Sequence, residues 1–317
     1  MKKILTLLLS LTLVFALTGA FAEQEKLTIG FSTRTLTNEP FQSAVLKGVQ
    51  EAVEAAGHEI VIMTTDTASN SAMQVSQIED LINMGVDGLI YVPLDNISTV
   101  ECLESAKEKG IPVVIIDSAL QAGYEDLYIS FVGTNGQDAG RVLGEMAVEA
   151  FPDGGEVIIA RAAPGVQAIE DRCNGFLDAI EGSSLEVVDD QYSQGTNETV
   201  MEIVANMLVA HPDVDVLYLP ADAYAEGAIQ AIDDANLDRD IVIYGVDGSN
   251  VGLTLMEEGR IAGLSQQQPA KMGAISVEII LSVLAGETSA EDWDKVIDSG
   301  TLTVTPDNID EGWANGF

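Results

Sequence analysis

VDGLIYVPLD at 86–95 returns as VDVLYLPAD at 214–222, and IPVVIID at 111–117 returns as IVIYGVD at 241–247. Each copy is a short β-branched run ending in an acid, which reads as a buried strand. The offset is about 127 residues from Asp95 to Asp222 and about 130 from Asp117 to Asp247. Order and spacing both repeat, so the chain is expected to form two similar α/β lobes. Each lobe would place carboxylates at the carboxyl ends of parallel strands, the edge at which open α/β sheets bind ligands.

The pattern extends outward from these runs. LTIGFS (27–32) and EIVIMT (59–64) read as strands. Between them Phe41, Ala44, Val45, Val49, Ala52, Val53 and Ala56 form one apolar stripe at helical spacing, with Gly57 as its stop. Helices follow at 72–84 and 97–109. GEVIIA, LEVVDD, VDVLYL and IVIYGV are the strands of the second half. Its helices are read at 168–181, 197–210, near 223–235 and at 250–258. Strand–helix alternation implies parallel sheets with right-handed crossovers. The fold class is therefore α/β, with two doubly wound parallel-sheet lobes. No flexible spacer separates them, so strand-like segments should cross between them near 131–134, 264–268 and 297–302. A helix at about 270–285 returns the chain to the first lobe. The expected division is 23–132 plus about 268–298 against 133–267 plus about 299–317.

The amino end carries its own signal. Lys2 and Lys3 precede an apolar stretch from Ile4 to Leu17, and Ala20-Phe21-Ala22 offers a small-x-small cleavage site before Glu23. Residues 1–22 read as a secretory signal peptide cleaved after Ala22, giving a soluble periplasmic or extracellular protein. The whole chain has 51 acids against 14 Lys and Arg, a net charge of −37. Nucleic acid and anionic membranes are therefore excluded as partners. Cys102 and Cys173 fall in different lobes and are expected to stay unbridged; they offer no metal-ligand spacing. Neither a metal nor a cofactor is expected.

Catalytic signatures are scarce. The two histidines, His58 and His211, sit beside turn residues. GTNGQDAG (133–140) has the spacing of a strand-to-helix turn, with Asn135 kept as a weaker ligand candidate. The chain offers instead polar groups at strand ends: Asp95, Asp117, Asp222 and Asp247. A carboxylate accepts two hydrogen bonds from neighbouring hydroxyls, each worth about 1.5–3 kcal/mol. Arg172 adds a rigid fork of donors, and Gln267, in QQQP at a crossing, both donates and accepts. For each acid the competing role is helix capping or turn formation. Asp117 and Asp247 together also leave an acid–base enzyme open.

These residues in this order resemble the ribose-binding-protein family of periplasmic sugar-binding proteins, over about 27–305. TNEPF (37–41) is similar to the family's first cleft loop, with Glu39 at an asparagine position and Phe41 as its ring. PVVIID and GVDG carry the two ligand aspartates, Asp117 and Asp247. EDRCNGF (170–176) carries the arginine, Arg172, and LSQQQP (264–269) the hinge glutamine, Gln267. The resemblance implies a type I periplasmic binding protein. Such a protein closes two lobes on one small sugar or polyol and delivers it, as a monomer, to an ABC permease. A nucleoside, a furanosyl signalling compound, or an exported sugar-acting enzyme are the alternatives.

The chain departs from the family at several points. Ser118 stands where an arginine usually follows the first aspartate, Gln42 replaces a second ring, and Ala221 replaces an asparagine. The second-lobe ring falls near Gly195. The first loop is about three residues longer and contains Arg34, which could supply the missing cation. Lost rings and hydrogen bonds predict weak ribose binding and a larger or more polar ligand, such as a hexose, sugar acid or substituted furanose.

Overall fold

The computed structural model describes residues 26–317. The signal-peptide segment at 1–22 lies outside them. Two six-stranded sheets carry the chain. The first lobe is built from β1 (Thr28–Thr33), α1 (Pro40–Ala55), β2 (Glu59–Thr64), α2 (Ser71–Met84), β3 (Gly88–Tyr91), α3 (Val100–Glu108), β4 (Val113–Ile116) and β5 (Ser130–Gly133). The chain then crosses. α4 (Gly136–Ala150), β6 (Gly155–Arg161), α5 (Gln167–Ile180), β7 (Leu185–Tyr192), α6 (Asn197–Ala210) and β8 (Val216–Leu219) begin the second lobe. α7 (Ala225–Ala235), β9 (Val242–Asp247), α8 (Asn250–Glu257) and β10 (Gly263–Gln267) continue it. α9 (Pro269–Leu284) packs back on the first lobe. β11 (Val296–Asp298) joins the first sheet and β12 (Thr301–Val304) the second, before α10 (Ile309–Asn315).

The duplication is explicit in the strand orders. They run β11-β5-β4-β3-β1-β2 and β12-β10-β9-β8-β6-β7, the same winding twice. All pairs are parallel except β10 with β12, which is antiparallel. The buried runs noted in the sequence are the central strands: every residue of β3, β4 and β8 is buried. Apolar clusters fill both faces of each sheet. Cys102 and Cys173 are free and buried in clusters of different lobes.

One helix starts later than the sequence reading put it. The helix expected at 97–109 starts only at Val100, because the Asp95 carboxylate takes the main-chain N–H groups of Ile97 and Ser98 and holds a turn there. α4 and α10 carry no reading of their own in the sequence. The crossings expected near 131–134, 264–268 and 297–302 are short strands, each paired into a sheet edge or centre.

Each lobe packs its first helix against a crossing helix through glycines. A methyl group at Gly140 on α4 would stand 1.8 Å from the carbonyl oxygen of Arg172, and one at Gly175 on α5 would stand 1.9 Å from that of Gln137. In the first lobe a methyl at Gly48 would stand 1.9 Å from the carbonyl of Ala270. Backbone-to-backbone contact sets the height of Arg172 over the second sheet.

Candidate functional site

Asp117 and Asp247 hold equivalent places in the two lobes. Asp117 directly follows β4 and Asp247 closes β9. Both have positive φ, 67° and 106°, which non-glycine residues rarely adopt. Such backbone strain, of order 1–3 kcal/mol each, persists where surrounding structure enforces it, and it clusters at ligand clamps. The same backbone oddity at two duplicated positions marks this edge of both sheets.

The surroundings of each aspartate are specific. The Gln42 amide donates to Asp117 at 3.3 Å and accepts from the Thr33 hydroxyl at 2.9 Å. Gln42 is only 2 % exposed, so it stands in place of a ring as a brace for Asp117. Burial pushes the Asp117 carboxyl up, and the Arg34 guanidinium is the strongest opposing influence, followed by Gln42 and Arg172. Arg34 is half-buried, and its Nε is enclosed with no hydrogen-bond partner among the described residues. In the second lobe, Asp247 pairs with Arg172 at 2.9 Å and accepts from the Gln267 amide at 2.7 Å. Arg172 also donates to the Pro220 carbonyl at 2.8 Å, and its own Nε is enclosed without a partner among the described residues. Gln267 accepts from the Thr134 hydroxyl at 2.9 Å, which ties two of the three crossings together beside Asp247.

Not every candidate lies in this cluster. Asp95 spends its carboxylate on Ile97, Ser98 and Ser71; burial opposes its charge, but these bonds hold it well below the usual carboxylate range. It is a turn residue. Asn135 caps α4, accepting from the Asp138 N–H at 3.2 Å, so its side chain is used locally. Asp222 is 0 % exposed and does not present itself to a ligand. Its carboxylate accepts from the Ser249 N–H at 2.9 Å and the Ser249 hydroxyl at 2.7 Å, and so anchors the loop after Asp247. Glu39 occupies the cap position of α1 without a side-chain capping bond. Ser118 is half-buried next to Asp117. Ala221 is buried in a core cluster.

Two groups escaped the sequence reading. Tyr224, in the third loop, is half-buried; burial raises its hydroxyl, with Asp247 and Arg172 both close enough to act on it. Its hydroxyl lies 3.3 Å from where a side chain at Gly195 would begin. The ring missing in register at Gly195 is thus present in space, supplied by a residue 29 positions later. It is the only ring in the loop segment PADAYAEG (220–227), which was the available signal. The other group is Phe317, whose ring meets that of Phe41.

Burial, then the nearby charge of Asp247, pushes the Asp222 carboxyl up to about 7, against the bonds from Ser249 and Gly248. The unfolded value is about 3.9. The native state therefore binds the extra proton between these values, and stability falls as pH rises from about 4 to about 7, by up to about 1.4 kcal/mol per unit. Asp222→Asn should remove that slope. Its melting temperature should gain on wild type from pH 5 to about pH 7 and level off above; parallel curves would contradict a proton on Asp222.

A family model described as "Periplasmic binding protein domain" matches residues 29–288. The ribose import binding protein of Bacillus subtilis is 30% identical, over 90% of this chain and 95% of its own. The periplasmic ribose ABC transporter protein of Conexibacter woesei superposes with a TM-score of 0.83 at 23% identity, covering 91% of this chain and 95% of its own. An ABC transporter solute binding protein of Agrobacterium vitis, with bound D-fucose, reaches 0.73 at 27% identity over 92% and 100%. With its duplicated sheets, three crossings and a polar cluster at the shared sheet edge, the chain belongs to the periplasmic binding protein family, as a two-lobe type I member.

Proposed function

We propose that this chain is an exported solute-binding protein that shuts its two lobes on a small sugar or polyol and presents it, as a monomer, to an ABC importer. The carrying observation is the pair of strained aspartates, one per lobe, each beside an arginine with an unengaged Nε. Carboxylate acceptors next to guanidinium donors match adjacent hydroxyls, which both donate and accept. Phe41 and Ser118 adjoin Gln42 and Asp117 in the chain, Tyr224 lies close to Asp247 and Arg172, and Gln42 and Gln267 brace the aspartates. Two arginines balance Asp117 and Asp247, which favours a neutral sugar over a sugar acid. Arg34 stands in for the arginine replaced by Ser118. The Bacillus relative named for ribose and the Agrobacterium relative with D-fucose bound support this ligand class. Among the described residues, no helix is long and apolar enough to cross a membrane.

The moving bodies are 23–132 with about 268–298, and 133–267 with about 299–317. A ligand touching both aspartates binds best when the lobes are shut, and that difference in affinity drives closure. Calorimetry against pentoses, hexoses, sugar acids and nucleosides should find a neutral sugar. Small-angle scattering should then show a smaller radius of gyration at saturation. Binding with an unchanged radius would count against hinge closure. Binding of only sugar acids or nucleosides would count against the neutral-sugar reading.

A further inference from the structure

Phe317 belongs to the second lobe by its backbone. Its main-chain oxygen accepts from the Asn250 N–H at 2.8 Å, at the start of α8, and α10 just before it packs on α8 and β12. Phe317 is 8 % exposed. Its ring meets Phe41 edge to face, with centroids 5.2 Å apart and planes at 88°. Phe41 belongs to the other lobe: it lies in the first turn of α1 and packs against the first lobe's core cluster. The ring pair therefore spans the cleft. Its two supports lie close in sequence to the candidate cluster, since Phe41 adjoins Gln42 and Asn250 follows Asp247 by three residues.

We infer that Phe317 is a closing latch that sets how long a bound sugar stays. Rotation of the lobes apart would separate the rings and expose apolar surface. Edge-to-face pairs add to the free energy of simple burial, and here that whole contribution belongs to the shut state alone. A contact made only when the lobes are shut shifts the population toward closure, with or without ligand. It should act on the rate of ligand escape more than on capture, because the rings are apart during entry. Phe317 acts through closure and through Phe41, so it is a positioning residue. The inference rests on the sugar-binding reading for its ligand arm only.

The test uses the full exported chain carrying Phe317→Ala or Phe317→Leu, with D-ribose and D-fucose as probes. Circular dichroism confirms folding before kinetics are measured. Rapid-mixing experiments should show escape about 10-fold faster in Phe317→Ala, with capture changed less than about 3-fold, and Phe317→Leu in between. Scattering without sugar should show a larger radius of gyration for Phe317→Ala than for wild type. Unchanged escape rates in a folded variant would overturn the latch. If wild type takes neither sugar, that argues against the ligand class, and the sugar-free scattering still decides: equal radii for variant and wild type overturn the latch.

Discussion

Asp247→Ala should weaken sugar binding by about 2–4 kcal/mol, roughly 30- to 1000-fold, and should also lower the melting temperature. The first effect follows from the ligand hydroxyls left without an acceptor. The second follows from the neighbours in the same lobe. Arg172 sits 2.9 Å away with a side chain only 9% exposed, and Gln267 donates at 2.7 Å. Removing one member of an enclosed ion pair leaves the other charge unmatched, which is typically worth about 3–5 kcal/mol. The pair lies within one lobe, so it persists when the lobes part. The backbone allows a sharper comparison. At φ 106°, alanine keeps the strain and glycine does not. Asp247→Gly should therefore melt above Asp247→Ala while binding no better. Calorimetric titration and thermal melts of both variants decide the matter. Near wild-type affinity in either one would remove Asp247 from the site.

Gly140→Ala should destabilise the second lobe by about 2–4 kcal/mol, although it adds a single methyl to a helix and alanine is the better helix former. The methyl would lie 1.8 Å from the carbonyl oxygen of Arg172, and that atom is main chain, so α4 and α5 must separate. The separation would also displace Arg172 from Asp247 and loosen the bond from the Tyr218 hydroxyl to the Arg172 carbonyl, now 3.1 Å. Affinity should fall together with stability. By contrast, Gly182→Ala, at φ 76° with open space around it, should carry only the smaller backbone penalty. Chemical denaturation of the two variants separates crowding from backbone strain. Equal losses would mean that the helices tolerate the methyl.

The division between sequence and tertiary structure follows physical range. Strand identity was legible because VVII at 113–116 and VLYL at 216–219 are buried on both faces, and such runs need nothing distant to be recognised. The duplicated order of these runs determined two lobes. The placing of Asp117 and Asp247 at strand ends followed directly, since backbone direction is local information. The export segment, too, was read only from local composition. What the sequence left open is which side chains meet. Asp95 and Asp222 end equivalent runs and look alike, yet Asp95 closes its own turn while Asp222 reaches Ser249, 27 residues on, and is buried by it. Gln42, which looked like a lost ring, proved to be a brace because the fold brings Asp117, 75 residues later, within 3.3 Å. Arg34, Tyr224 and Phe317 acquired their neighbours in the same way. Periodicity records which face of an element is covered. It does not record what covers it, because loop closure over such separations costs little extra and leaves many pairings open until both sheets and their crossings are in place.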